Sequence, residues 1–456
     1  MIEGLKPYAE YKDSGSKWLG AVPAKWEVRN LRTLISKRAE RDRPDLPLLS
    51  VAREKGVFVR SMTDADENHN VIPEDLTNYK VARAGNLVIN KMKAWQGSMG
   101  IAPCDGIVSP AYFVFDFRIA NHAFGQRLLR SKPYVAHFGQ ASDGVRVGQW
   151  DLSIPGMRQI PVLVPSDDEQ AAIVRFLDHA NRKIDGFIRA KRKLIGLLNE
   201  QKQAIIHRTV THGLHPDVPL KPSGILWLGD IPQHWGIVRN MALFVHRVEP
   251  GITGLPVLQV SLRSGITAEE LDQFGRPKRL IADAKKYKRI HQGDIAYNTM
   301  RMWQGAVGVS PSDGLVSPAY VVLKPRSDIC PEFYDFIFHT EIYKQQVNRQ
   351  STGIVSDRNR LYWDSFKQMP NLLLPFAEQE EIVAFIAKET AVLKTAIART
   401  EREIALMQEY RARLTADLVT GRLDVREAAS RLPEPADQPT VEEAIDENEA
   451  DLQDEP

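Results

Sequence analysis

Lys91, Lys93, Trp95 and Gln96 lie within six consecutive residues, and Arg301, Trp303 and Gln304 make a second, similar group. Arginine and lysine can bond guanine O6 and N7 or hold a phosphate, so both groups are candidate contacts to nucleic acid. The paired tryptophans read equally well as packed rings beside a turn. Three further sets of basic residues stand in glycine-bearing, polar segments suited to contact: Arg53 and Lys55, their counterpart Arg263, and Arg146 with Arg358 and Arg360. Catalytic signatures are missing. There is no G-x-x-x-x-G-K-[ST] phosphate loop, no H-E-x-x-H zinc helix and no G-x-S-x-G elbow. His207, His212 and His215 straddle an expected helix end without a carboxylate or thiolate at ligand spacing, which makes them linker residues rather than a metal site. Asp217 with Lys221 lacks the second carboxylate of a nuclease motif. Cys104 and Cys330 can build neither a disulfide framework nor a cysteine zinc site. These residues point to binding rather than catalysis.

The elements that must position them come in duplicate. Gly4-Leu5, Pro7, Lys12, Ser14 and Gly15 recur 209 residues later as Gly213-Leu214, Pro216, Lys221, Ser223 and Gly224. Trp18-Leu19-Gly20, Pro23 and Trp26 return as Trp227-Leu228-Gly229, Pro232 and Trp235. Asn90, Met92 and Trp95-Gln96-Gly97 return as Asn298, Met300 and Trp303-Gln304-Gly305, and the segment Asp105 to Tyr112 as Asp313 to Tyr320. Glu169-Gln170 becomes Glu378-Gln379, and Val210-Thr211 becomes Val419-Thr420. So long a period exceeds the roughly 20 to 50 residues of a solenoid repeat, so each copy should be a whole domain with a connecting element.

The first part of each copy mixes short apolar runs such as Leu87 to Ile89 and Tyr112 to Phe115 with Gly, Pro and Asp breakers and helical stretches, which predicts an α+β domain. The rest of each copy loses its proline and strand signals between Ser166 and Thr211 and between Phe376 and Thr420. There Ile173, Leu177, Ala180, Ile184, Phe187, Leu194, Leu198 and Ile205 follow three-and-four spacing, interrupted by Lys191 and Gln201. A helix of this length reaches about 65 to 70 Å and needs a partner seam. Ile382, Ile386, Leu393, Ile397, Ile404, Met407 and Leu414 supply one, so the two helices are expected to pack as an antiparallel coiled coil. Ser166 with Glu169 forms a capping-box pattern, and Gly213 and Gly421 mark the stops.

Net charge is +2, from 60 lysines and arginines against 58 acids, but its distribution is uneven. Residues 431 to 456 carry ten acids and one base, Arg431, for a net −9, which leaves +11 on the remainder. Residues 422 to 456, proline- and acid-rich after Leu432, predict a disordered tail. The basic remainder supports binding to a polyanion, and two similar domains on rigid helices suit the two separated sites of a rod such as duplex DNA. The scarcity of cysteine, the start of the chain and the absence of a long apolar run predict a cytoplasmic protein with no membrane association.

The paired W-L-G-x-x-P-x-x-W entries, the paired D-G-[IL]-V-S-P-A-Y segments, the E-Q at each long-helix start and V-T-G-R-L-D at Val419 to Asp424 together resemble the specificity (S) subunit of type I restriction-modification systems. The resemblance covers about residues 4 to 426. It implies an N-terminal arm over 1–16, a first target recognition domain over 17–165, a spacer helix over 166–211, a linker over 212–225, a second recognition domain over 226–375, a second spacer helix over 376–420 and the tail over 421–456. It further implies that each domain reads half of a split sequence in double-stranded DNA. The helices would dock methyltransferase (M) subunits, which use S-adenosylmethionine to methylate adenine, and restriction (R) subunits would cleave with ATP and Mg. This chain would bind no cofactor or metal itself. The N-P-P-[YF] motif that resembling adenine methyltransferases carry is absent here.

If the domains read different half-sites, residues common to both copies should be mostly scaffold, and residues that differ should include the base readers. Lys91 and Lys93 against Thr299 and Arg301 differ within one loop, and the copies diverge most over about 57 to 78 and 266 to 286. Two rivals remain at this stage: a self-contained methyltransferase or nuclease, and a coiled-coil scaffold or regulator whose domains bind other proteins or RNA. Unaided DNA methylation would mark the first, and binding that ignores a bipartite duplex would mark the second.

Overall fold

Alternation within a short strand sends successive side chains to opposite faces of a sheet, and a strand apolar throughout therefore needs cover on both. Leu87–Asn90, apolar over its first three residues, is such a strand in the computed structural model, which describes residues 5–60, 75–144, 150–225, 228–262, 265–268, 284–352 and 359–433. Leu87 and Ile89 bury with Trp26, Phe115, Phe124 and Phe138. Val88 turns to the other face and joins Leu49, Val57 and Val114. The chain divides into two compact units, residues 1–190 with 403–456 and residues 191–402.

In the first unit an antiparallel sheet runs Ile35–Lys37, Tyr112–Phe117, Leu87–Asn90, Met99–Ile101 in spatial order. The helices His122–Leu129 and Lys132–Gln140 bury Phe124, Leu128, Tyr134 and Phe138 in the larger cluster. Glu27–Asn30 pairs with Pro161–Val164, which brings the chain back to the long helix. A hairpin, Leu49–Ala52 with Gly56–Val59, covers the second face.

The second unit repeats this topology. Its sheet runs Phe244–Arg247, Tyr320–Pro325, Ile295–Asn298, Val307–Val309, with Ile295 and Tyr297 on one face and Ala296 on the other. Its hairpin joins Leu258–Ser261 to Gly265–Ala268, and its helices are Pro331–Phe338 and Glu341–Gln350. The mixed helix and strand content expected from the sequence is therefore present in both copies.

Two long helices, Asp167–His212 and Phe376–Val419, contain 46 and 44 residues. Within the first unit Ile173, Leu177 and Ala180 of the first helix share a buried cluster with Leu414, Leu418 and Val419 of the second. Within the second unit Ile206 and Val210 share one with Ile382 and Ile386. The buried stripe departs from the seam read off the sequence: Ile188 and Ile206 are buried, whereas Leu194 is 39% exposed. An α-helix drifts about 20° per heptad from a strict three-and-four pattern, so a seam counted from Ile173 lands one position off at the far end.

Both helix starts are tied down by the E-Q pair. Gln170 Oε1 accepts from the Asn121 backbone N at 3.0 Å and its amide donates to the Pro165 carbonyl at 2.9 Å. Gln379 does the same with Cys330 N at 2.8 Å and Leu374 O at 2.9 Å. Both helix stops are left-handed glycines, Gly213 at φ +75° and Gly421 at φ +74°. Gly421 lies on Pro23 and Trp26, and Gly213 on Pro232 and Trp235.

Candidate nucleic-acid interface

The first candidate group occupies a tight turn between Leu87–Asn90 and Met99–Ile101. Asn90 Oδ1 accepts from Met92 N at 3.1 Å, and Trp95 Nε1 donates to the Met92 carbonyl at 3.1 Å. Gly97 closes the turn at φ +87°. The second unit builds the same turn: Asn298 Oδ1 accepts from Met300 N at 3.0 Å, Trp303 Nε1 donates to Met300 O at 3.1 Å, and Gly305 has φ +92°. The indole N–H of each tryptophan is thus used by the turn itself, so Trp95 and Trp303 serve the scaffold and offer a ligand only the face of a half-buried ring.

Side chains, some shared and some unlike between the copies, project from this common turn. Lys93 and Arg301 are exposed, Gln96 is half-buried and Gln304 exposed. Lys91 pairs with Asp151 at 2.9 Å, whereas the corresponding Thr299 is buried and its hydroxyl donates to Ala319 O at 3.0 Å. The turn also meets a second loop in each unit. Lys91 O accepts from Leu152 N at 2.9 Å, and Trp95 lies edge-on to Trp150 with ring centroids 5.1 Å apart. These residues flank the loop that carries Arg146, which itself lies outside the described residues. In the second unit Thr299 O accepts from Leu361 N at 2.9 Å, and Thr352 bridges Arg360 across the loop of Arg358, which also lies outside them. Arg360 is exposed, with its guanidinium 3.4 Å from the Tyr362 hydroxyl.

The hairpins carry the remaining candidates. Residues 53 to 55 form a three-residue loop between Ala52 and Gly56, the latter at φ +75°, the left-handed closure expected of a bulged hairpin. Arg53 and Lys55 are exposed, and Lys55 Nζ lies 5.1 Å from the Phe58 ring centroid. Each hairpin rides backbone-to-sheet on a glycine: a Cβ at Gly100 would come 2.9 Å from Val57 N, and one at Gly308 2.8 Å from Ile266 N. Arg263 lies outside the described residues, as do most of the two most divergent segments and the acidic tail beyond Pro433. The start of that tail, expected to be disordered from residue 422, is instead ordered, with Val425 and, on the short helix Arg426–Ser430, Ala429 buried in the first unit's larger cluster.

The paired D-G-[IL]-V-S-P-A-Y segments prove to be framework. Asp105 accepts from Arg83 Nη1 at 2.7 Å and from Ala84 N at 2.9 Å, and Asp313 takes Arg289 and Gln292 in the same way at 3.2 and 3.1 Å. The Arg83 guanidinium with the Ala84 N–H, and for Asp313 the Gln292 N–H with the Arg289 guanidinium, hold each carboxyl below the ordinary aspartate value. Lys80 and Lys288, which sequence reasoning missed, donate to the carbonyls of Tyr112 and Tyr320 at 2.5 and 2.6 Å, and partial burial pushes both ammonium groups below the usual lysine value. Their signal was present in the repeat, which places a lysine at both positions. Among the described residues no cluster of three or more His, Cys, Asp or Glu could hold a metal ion, and no helix is long and apolar enough to cross a membrane.

No protein-family model and no curated protein matches this sequence. Solved structures do. A chain from the structure titled "Structural basis underlying complex assembly and conformational transition of the type I R-M system" is similar over 87% of this chain and 98% of its own, with a TM-score of 0.60 and 14% identity. The HsdS subunit from Thermoanaerobacter tengcongensis covers 88% of this chain and 97% of its own at 16% identity and a TM-score of 0.42. The type I restriction-modification S subunit from M. genitalium covers 86% and 96% at 11% identity and a TM-score of 0.32. The fold of this chain is that of a chain from a type I restriction-modification system.

Proposed function

We propose that this chain is the DNA-binding specificity subunit of a type I restriction-modification complex, each domain reading one half of a bipartite target in double-stranded DNA. The observation that carries the proposal is the duplicated framework with unlike side chains: the same turn and the same hairpin occur twice, with Lys91 and Lys93 replaced by Thr299 and Arg301. A protein that read one symmetric site would have no use for the difference. The likeness in fold over nearly the whole chain supports the same reading.

In this proposal Arg53, Lys55, Lys93, Arg146, Arg263, Arg301, Arg358 and Arg360 contact bases or phosphates, with Lys91, Gln96 and Gln304 beside them and Trp95 and Trp303 shaping the turn. The two long helices pair as an antiparallel coiled coil, which sets the gap between half-sites. Support comes from each unit separately, since in both the start of one helix buries residues with the end of the other. The helices dock methyltransferase subunits, and the assembled complex recruits restriction subunits. The chain is non-catalytic; S-adenosylmethionine, ATP and Mg are used by those partners.

The test is an exchange of residues 17–165 for the corresponding domain of a relative with a different target. The proposal expects one half of the methylated sequence to change and the other to persist. A change in both halves, or in neither, contradicts it.

A further inference from the structure

Arg130 sits just after the helix His122–Leu129, 77 residues in sequence from the hairpin tip it touches. Its Nη2 donates to the carbonyl oxygens of Arg53 and of Glu54, at 2.7 Å each. Neither partner is a carboxylate, and Nε is buried with no hydrogen bond among the described residues. Half-burying a guanidinium against neutral acceptors costs some stability that a carboxylate partner would spare. Arg175 is held in the same way by the Leu432 and Pro433 carbonyls, so what sets Arg130 apart is that its acceptors belong to the hairpin tip that carries Arg53 and Lys55.

The surroundings fix the geometry of this contact. A Cβ at Gly56 would come 3.1 Å from Arg130 Nη1, so the loop closes directly on the guanidinium. One turn earlier on the same helix, Gln126 Oε1 accepts from Ile101 N at 2.7 Å, which ties the helix to the edge strand beneath the hairpin. In the second unit the matching residues are Asp335 and His339, and His339 Nδ1 lies 2.8 Å from the Asp335 carbonyl on its own helix. The two hairpins therefore share a glycine seat, and the residue equivalent to Arg130 differs between the units.

We propose that Arg130 is a specificity-determining positioning residue: by holding the carbonyls of Arg53 and Glu54 it aims the Arg53 to Lys55 tip at the bases of the first half-site. This inference rests on the proposed function. The side chains at the tip make the contact, and Arg130 acts only through them.

The test maps adenine methylation at base resolution in cells producing the full chain with its cognate methyltransferase, comparing wild type, Arg53→Ala, Lys55→Ala, Arg130→Gln and Arg130→Lys. Losing one positioned base contact relaxes discrimination by about tenfold or more. Arg130→Gln should relax the same first-half position as the tip variants by that factor and leave the second half unchanged, with Arg130→Lys intermediate. Unaltered base choice in Arg130→Gln, or a uniform fall at every base of both halves, overturns the inference and leaves the proposed function standing. Tip variants that leave the motif intact overturn it too. A wild-type chain that directs no split motif overturns both.

Discussion

The guanidinium of Arg411, in the last third of the second long helix, donates to the carboxylate of Asp185, in the first half of the first. The two residues lie 226 apart in sequence within one compact unit, so the pair reports directly on which ends of the helices meet. Both side chains are more than a third exposed or close to it, which limits the energy of the pair to about 0.2 to 1 kcal/mol. A double-mutant cycle of Asp185→Ala and Arg411→Ala in urea unfolding should return a coupling within that range and favourable in sign. Zero coupling would leave the packing of Ile173, Leu177, Leu414 and Leu418 as the whole of the contact.

Gly421 should tolerate a side chain far less well than Gly213. Both have positive φ, which costs an alanine about 1 to 2 kcal/mol. Only at Gly421 would the new Cβ also meet backbone-fixed atoms, 2.4 Å from Pro23 Cδ against a nearest contact of 3.4 Å at Gly213. Thermal melts of Gly421→Ala and Gly213→Ala should therefore separate clearly, with Gly421→Ala the lower. Equal losses would mean that the helix end can slide off Trp26.

Asp335 gives the second unit a pH dependence with a definite sign. Burial pushes its carboxyl up to about 6, Glu332 adds to the rise, and His339 at 3.5 Å opposes it. The folded state thus holds its proton more tightly than the unfolded chain, so stability falls as pH rises from about 4 to about 6 and the penalty persists above that. Asp335→Asn should raise the melting temperature at pH 7.5 and flatten the slope between pH 4 and 6. Identical slopes in wild type and variant would contradict this.

Gly100→Ala should disturb the first half-site alone. Its Cβ would lie 2.9 Å from Val57 N and 3.2 Å from Gly56 Cα, so the hairpin must lift from the sheet. Gly308→Ala, with contacts of 2.8 and 2.9 Å to Ile266 N and Gly265 Cα, should do the same to the second half. Methylation maps of the two variants would show the halves failing independently, and coupled failure would contradict modular reading.

The architecture was legible where it depends on periodicity and repetition. The loss of proline and the glycine stops marked the long helices, and the duplication marked residues such as Gln170 and Gln379 as equivalent before either was seen to make the same two bonds. Contacts to backbone carbonyls were not legible, because nothing in the letter Arg at position 130 says that its partners are the carbonyls of residues 53 and 54. Equivalence in sequence also misled in one place. Glu169 and Glu378 correspond, yet Glu378 accepts from Trp235 Nε1 at 3.1 Å and Glu169 from the Tyr8 hydroxyl at 2.7 Å, while Trp26 Nε1 is buried with no hydrogen bond among the described residues. The difference arises because the N-terminal arm meets the segment after the second helix, pairing Lys6 with Asp424, which supplies the first unit with a tyrosine the second lacks at that place.

The most direct test of the central claim is a base-resolution map of adenine methylation in cells expressing a cognate methyltransferase with this chain and in cells lacking only this chain. The account predicts a split motif, two short specific halves around a fixed gap, that vanishes with the chain. Methylation that is unchanged without it, with the partner shown to be expressed, would contradict the assignment of DNA specificity to this protein.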